Sequence, residues 1–203
     1  MIKNIIFDFG DIFIDLDKNA TAQHMIPYGF TQLTPALTTL FNAYEKGLLT
    51  TEDFIAKTNA HFPKASPEVL VNAWNAIILF FPENRLRFIE ALAKEGTYRL
   101  FLLSNTNALH IKKVKEHMTE ERFNRFKACF EQFYLSHEIQ HRKPDTEIYN
   151  FVLTQNKLLP EETLFIDDTQ ENTAAAKKLG IRVWHLQVGE EDVVQLNSKL
   201  KQC

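Results

Sequence analysis

Three short apolar runs limit what this chain can fold into. Ile5-Ile6-Phe7, Leu100-Phe101-Leu102-Leu103 and Leu164-Phe165-Ile166 contain no polar residue, and each halts at a polar residue: Asp8, Ser104-Asn105 and Asp167-Asp168. Runs this short and this uniformly apolar suit strands covered on both faces, as in a parallel sheet with helices on each side. Five strands are predicted: Ile2–Phe9, Tyr98–Leu103, one within Ala128–Leu135, Thr163–Ile166 and Arg182–Leu186. Helical spacing fills the intervals. It is seen in Leu33, Leu37, Leu40, Phe41 and Tyr44, in Val69 through Phe81, in Ile148 through Gln155 after Pro144, and in Ala175 with Leu179. Strands alternating with helices imply an α/β fold with a doubly wound parallel sheet.

One interval is too long for a simple crossover. Strand one ends near Phe9 and strand two begins near Tyr98, whereas a crossover with its helix needs about a dozen residues or somewhat more. The surplus carries helical patterns and no confident strand. It reads as an inserted helical cap domain over residues 16–81, with residues 1–15 and 82–203 forming the sheet core and Glu83–Glu95 returning the chain to the sheet.

Composition removes several classes. The 203 residues are 45% hydrophobic with a net charge of −3, so the chain can bury a core and offers no basic surplus for nucleic acid. The longest apolar run, Ala76–Phe81, falls far short of the ~20 residues that span a bilayer. Lys3 precedes apolar residues that Asp8 interrupts at once, which leaves no signal-peptide core. Cys129 and Cys203 form no metal-spaced or redox pair. A soluble, cytoplasmic protein with no membrane partner is expected.

In open α/β sheets, ligands bind at the carboxyl ends of the strands, where strand order reverses. Asp8, Ser104 with Asn105, and Asp167 with Asp168 all fall at that edge, and Arg142-Lys143 follows the third strand just before Pro144. Clustered carboxylates repel and call for a cation or raised pKa values. Mg2+ suits an oxygen-only cluster and accepts phosphate oxygens. A lysine opposite it holds phosphate as a point charge, and a serine hydroxyl adds a donor. Each residue alone has a plain reading: Asp8 as a turn former, Asp168 as the cap of the next helix, Lys143-Pro144 as a helix entry. Their occurrence together, in order on successive strands, is what capping does not explain.

These residues carry a resemblance. Ile5-Ile6-Phe7-Asp8-Phe9-Gly10, Leu102-Leu103-Ser104-Asn105, Arg142 through Tyr149, and Phe165 through Asn172 with Ala175 and Leu179-Gly180 resemble the four motifs of the haloacid dehalogenase-like hydrolases. The branch indicated has a helical cap after the first strand. It includes small sugar-phosphate phosphatases such as bacterial glucose-1-phosphate phosphatase and the N-terminal phosphatase domain of soluble epoxide hydrolases. The resemblance implies a Rossmann-like core and a Mg2+-dependent phosphatase acting on a small phosphorylated metabolite. Asp8 would be the nucleophile, forming an aspartyl-phosphate. Asp8, the Gly10 carbonyl, Asp168 and Asp167 would serve the metal, Ser104 and Asn105 the phosphate, and Lys143 both the phosphate and Asp8.

Gly10 departs from the pattern, because the family usually places a general acid there. Acid assistance is typically worth ~10²–10⁴-fold. Three outcomes follow: a phosphatase for esters with good leaving groups, a 2-haloacid dehalogenase-type hydrolase, or a weak scaffold that binds phosphate and Mg2+. Asp11 is the adjacent substitute acid, against the plainer reading of a solvated turn residue. His110, His137, His141 and His185 read as surface histidines, and Trp74 and Trp184 as core. Cap specificity is expected from Asp15–Asp17 and the loop around Gly47, with Gln23, His24 and Tyr44 as further positions.

Overall fold

The apolar runs form the middle of a five-stranded, all-parallel sheet in a computed structural model that describes residues 1–200; Cys203 lies outside the described residues. The strands are β1 (Asn4–Phe7), β2 (Arg99–Ser104), β3 (Gln132–Leu135), β4 (Thr163–Asp167) and β5 (Arg182–His185), in the order β3-β2-β1-β4-β5. Phe7 aligns with Leu102 on one side and Ile166 on the other, so three polar strand exits emerge together. Strand order reverses at β1, which puts the ligand-binding edge there.

The chain supplies helices for both faces. Ile5, Phe7, Leu100, Leu102, Leu164 and Ile166 pack into one core, whereas Ile6, Phe101, Leu103 and Phe165 pack into a second on the opposite face. The first core explains much of the chain's phenylalanine: Phe126 lies 5.0 Å from Phe13, 4.9 Å from Phe81 and 5.0 Å from Phe130, in edge-on contacts. Such rings fill space beneath β1 while leaving the strand ends polar.

The long interval is a helical insertion between β1 and β2. It holds α1 (Ala20–Met25), α2 (Pro35–Glu45), α3 (Thr51–His61) and α4 (Pro67–Asn75), and α5 (Glu83–Glu95) returns the chain to the sheet as expected. Thr34, Thr50 and Ser66 cap α2, α3 and α4, each accepting a backbone N–H three residues on. Leu33 precedes the Thr34 cap and lies outside α2.

Two expectations need correction. The helical spacing of Val69–Phe81 runs past the helix itself, since α4 stops at Asn75. Ile77–Phe80 instead runs beside Asp15–Asp17: Asp15 N–H donates to Phe80 O, Asp17 N–H to Ile77 O and Leu79 N–H to Asp15 O, at 3.0–3.1 Å. Ile78 is buried in this return ribbon and Ile77 packs partly against the core, whereas Leu79 and Phe80 are exposed, so the apolar run imitates a helical period that the structure does not use. β1 is also shorter than Ile2–Phe9, because both Phe13 and Ile14 donate N–H groups to the Phe9 carbonyl in a tight turn. The later helices are α6 (Ala108–Met118), α7 (Glu120–Lys127), α8 (Ser136–Ile139), α9 (Thr146–Asn156), α10 (Gln170–Lys178) and α11 (Leu196–Leu200).

Candidate active site

Asp8 follows β1 directly, its N–H donating to the Ile166 carbonyl of β4 at 2.9 Å. This bond sets Asp8 beside the end of β4, and oxygens of Asp8, Asp167 and Asp168 lie within 4.8 Å of one another. The Lys143 ammonium sits between two of these carboxyls, 2.6 Å from Asp8 Oδ1 and 2.6 Å from Asp167 Oδ2, with its side chain 1% exposed. Burial above all, against the pull of Lys143 and with the push of Asp167 and Asp168, raises the Asp8 carboxyl to about 7. Burial works against the charge on Lys143, yet Asp167 and Asp8 hold its ammonium above the ordinary lysine range.

Asp167 is fully engaged. Its Oδ1 accepts from Thr169 N–H and Asn172 Nδ2, and its Oδ2 from Lys143 Nζ and again from Asn172. It orients the lysine and the start of α10, while Asp8 and Asp168 keep open lone pairs toward the cleft. Asp168 does not cap α10; that place belongs to Thr169. The Asn105 side chain clamps the backbone of Lys143 in both directions, donating to Lys143 O and accepting from Lys143 N–H at 2.8 Å. Ser104 is buried at the end of β2. Asp8, Gly10, Ser104, Asn105, Lys143 and Asp168 all line one cleft of about 480 Å3, while Asp167 stands behind it.

Around Gly10 the chain turns sharply. Asp11 has φ 54°, and its Oδ1 accepts the Leu16 N–H at 3.0 Å. Asp11 is therefore a turn former, but a buried one rather than the solvated residue expected, and its Oδ2 lies 2.9 Å from Lys18 Nζ. The same ammonium reaches Asp168 Oδ2 at 2.5 Å. Burial opposes the Lys18 charge, and hydrogen bonds to Asp168 and Asp11 more than offset it, so its pKa rises. Four carboxyl groups thus face two ammonium groups, and a divalent cation cancels the deficit.

The insertion closes the other side of the cleft through Leu16, Lys18, Glu45, Ile77 and Ile78. Glu45 Oε2 accepts from Arg142 at 2.9 and 3.2 Å, and Lys46 Nζ pairs with Asp145 at 2.7 Å. Gly47 has φ +66° and packs so tightly that a Cβ there would stand 2.0 Å from the His137 carbonyl oxygen. The Gly47 loop is therefore an anchor onto the core, and Glu45 two residues earlier is the group that reaches the cleft. Gln23, His24 and Tyr44 do not line it. Tyr44 is buried against Phe54 at 4.1 Å.

Sequence reasoning missed Lys18, Glu45, Arg142 as an ion-pair partner, and His110. His110 was expected at the surface. It stacks on Trp74 at 5.1 Å, its Nε2 lies 3.0 Å from the Trp74 carbonyl, and its Nδ1 lies 3.1 Å from Asn107 Nδ2. Burial drives its pKa down to about 4, which the hydrogen bond to Trp74 only partly resists. Trp74 sits on a predicted helix face, but His110 falls in no predicted element, and nothing in spacing says that the two meet. Trp74 and Trp184 are core residues as expected.

The all-oxygen donor set fits a hard divalent cation such as Mg2+, for which Asp8 and Asp168 each have one carboxylate oxygen not engaged by a lysine. Comparison with known proteins points the same way. Residues 5–186 match the model of the haloacid dehalogenase-like hydrolase family. D-ribitol-5-phosphate phosphatase of Bacteroides thetaiotaomicron is 30% identical, covering 98% of this chain and 100% of the relative. A solved structure of a haloacid dehalogenase family enzyme of the same species, in complex with magnesium and inorganic phosphate, is 31% identical with a TM-score of 0.80; the match covers 94% of this chain and 97% of that one. A predicted family hydrolase of Porphyromonas gingivalis matches at 28% identity and a TM-score of 0.82, over 99% and 98% of the two chains.

Proposed function

The chain belongs to the haloacid dehalogenase-like hydrolase family, and from that premise we propose that it is a Mg2+-dependent phosphatase, hydrolysing a small phosphate ester through an aspartyl-phosphate. The observation that carries this reading is the Lys143 ammonium held 2.6 Å from both Asp8 and Asp167, beside an oxygen-only trio. That arrangement gives a phosphoryl group positive charge on one side and a carboxylate nucleophile on the other.

Asp8 attacks phosphorus, and the bond to the ester oxygen breaks with its electron pair on the leaving oxygen. Water then attacks the phosphorus of the aspartyl-phosphate, releasing inorganic phosphate and restoring Asp8. The Ser104 hydroxyl and Asn105 backbone N–H hold phosphate oxygens, and Lys143 neutralises them while fixing Asp8. Mg2+ held by Asp8, Asp168 and the Gly10 carbonyl, with Asp167 alongside, supplies further charge neutralisation when bound. Gly10 brings no acid, so the leaving oxygen takes its proton from water, and good leaving groups are favoured.

Residues 16–81 act as a helical cap domain on a core of residues 1–15 and 82–203. The insertion has an apolar cluster of its own, Met25, Leu37, Phe62, Ala65, Leu70 and Ala73, which supports that division. Among the described residues no helix is long and apolar enough to cross a membrane, and a cytoplasmic setting goes with the reading. D-ribitol 5-phosphate and other sugar phosphates are the first esters to assay, because a relative is named for that substrate. The test is phosphate release with Mg2+, with EDTA, and with Asp8→Asn; activity surviving EDTA or the substitution overturns the reading. Chloride release from 2-chloropropionate without metal would establish the dehalogenase alternative instead.

A further inference from the structure

Behind the catalytic cleft lies a second cavity of about 290 Å3 inside the insertion, bounded by α1, α2, α3 and α4. The two cavities share Lys18, Glu45, Ile77 and His110 in their walls, so only these side chains stand between them. Beyond that junction the walls are Met25, Phe41, Phe54, Phe62, Leu70 and Trp74. The few polar groups there are already committed. The hydroxyl of Thr58 donates to Phe54 O at 2.7 Å, that of Thr21 points to Trp74 O at 3.5 Å, and the Trp74 indole N–H donates to Asn107 at 3.2 Å. Both ring nitrogens of His110 are engaged as well.

We infer that this cavity receives the distal part of the leaving group, and that the preferred esters carry an apolar alkyl or aryl moiety beyond the phosphate. The inference rests on the phosphatase reading and narrows its substrate class. Polarity decides the occupant. A polyol chain entering the cavity would lose water from each hydroxyl and find no free donor, whereas an alkyl chain would meet aromatic and aliphatic walls. The polar junction suits the ester end, because Lys18 and Glu45 stand there, shared with the cleft that holds the phosphate.

The experiment measures calorimetric binding of n-alkylphosphonates from ethyl to octyl, with Mg2+, alongside kcat/KM for the matching alkyl phosphates and for D-ribitol 5-phosphate. The expected result is affinity and kcat/KM rising about fourfold per methylene group over the first additions, then levelling as the cavity fills. Ala22→Phe, which adds a ring to the cavity wall, is expected to flatten the series. Chain-length-independent affinity, or ribitol 5-phosphate exceeding every alkyl ester in kcat/KM, overturns the inference and leaves the phosphatase intact. Affinity rising with chain length while neither these esters nor an aryl phosphate with a good leaving group releases phosphate keeps the cavity assignment and overturns the phosphatase reading. If Ala22→Phe does not fold, the wild-type series alone decides.

Discussion

Leu16 occupies the space that a side chain on Gly10 would need, its Cδ1 standing 2.6 Å from where a Cβ would be built. The missing acid is therefore more than a missing carboxyl: a neighbour fills its place. Gly10→Asp alone obliges the flexible end of Leu16 to swing aside, so its gain in turnover is expected to be smaller than with Leu16 shortened. Combined with Leu16→Ala, it is expected to raise turnover on esters with poor leaving groups, toward the ~10²–10⁴-fold that acid catalysis supplies. Rates across aryl phosphates of graded leaving-group pKa check this. The parent should show a steep dependence and the double variant a shallow one, and a flat parent profile with chemistry rate-limiting would mean that another group donates the proton.

Asp8→Asn should separate catalysis from stability. Turnover is expected to vanish, while the metal-free protein gains stability at neutral pH. The folded carboxyl titrates near 7 against an ordinary value of 3.8, so between those limits the folded state holds a proton that the unfolded state has released. Stability contributed by the protonated form is complete below pH 3.8 and is lost as pH rises through 7. The asparagine variant escapes that loss. Thermal melts in EDTA at pH 5 and pH 7.5 should show its advantage growing with pH, at roughly 2–4 °C per kcal/mol.

Removing Lys143 leaves Asp8 and Asp167 buried without their cation. Lys143→Met is expected to cost about 3–5 kcal/mol, as breaking a buried ion pair does, and to abolish turnover. Urea denaturation measures the first and phosphate release the second. Mg2+ should recover part of the stability and none of the activity.

Lys18 competes with the metal for Asp168. Lys18→Met frees Asp168 Oδ2 and removes a positive charge, so Mg2+ affinity is expected to rise roughly fivefold at low salt and less at high salt. Calorimetric titration with Mg2+ alone reads this without reference to activity, and unchanged affinity would show that the ammonium does not contest the site.

His110 confers sensitivity in the acid direction. Its folded pKa of about 4 lies below the ordinary 6.5, so the folded state resists a proton that the unfolded state accepts. Its contribution is present above pH 6.5 and is lost as pH falls toward 4. His110→Gln is expected to melt at a lower temperature than the parent at pH 7.5, with the gap narrowing or reversing at pH 5. A gap that does not change with pH would mean the histidine acts by packing alone.

The sheet and its polar edge were readable because uninterrupted apolar runs have few other solutions, and because Asp8, Ser104 and Asp168 sit at strand exits that a parallel sheet must align, while Lys143 lies further along, beyond the short helix that follows β3. The boundaries of β2, β4 and α5 fell within a residue of expectation for the same reason. Long-range partners were not readable. Nothing local distinguishes Lys18, which reaches across 150 residues to Asp168, from any solvated lysine, or marks His110 as lying beneath Trp74. Ile77 and Ile78 misled because a ribbon and a helix can bury the same residues when only one side faces the core.

That ribbon has a mechanical consequence. Asp15–Asp17 and Ile77–Phe80 are the ways into and out of the insertion, and they are hydrogen-bonded to each other. Leu16 and Lys18 sit on either side of Asp17 on the inbound strand, one against Gly10 and the other against Asp168. The two are geared together. A shift of the strap that made room beside Gly10 would also withdraw a positive charge from Asp168, so steric access and the demand for a cation rise in step.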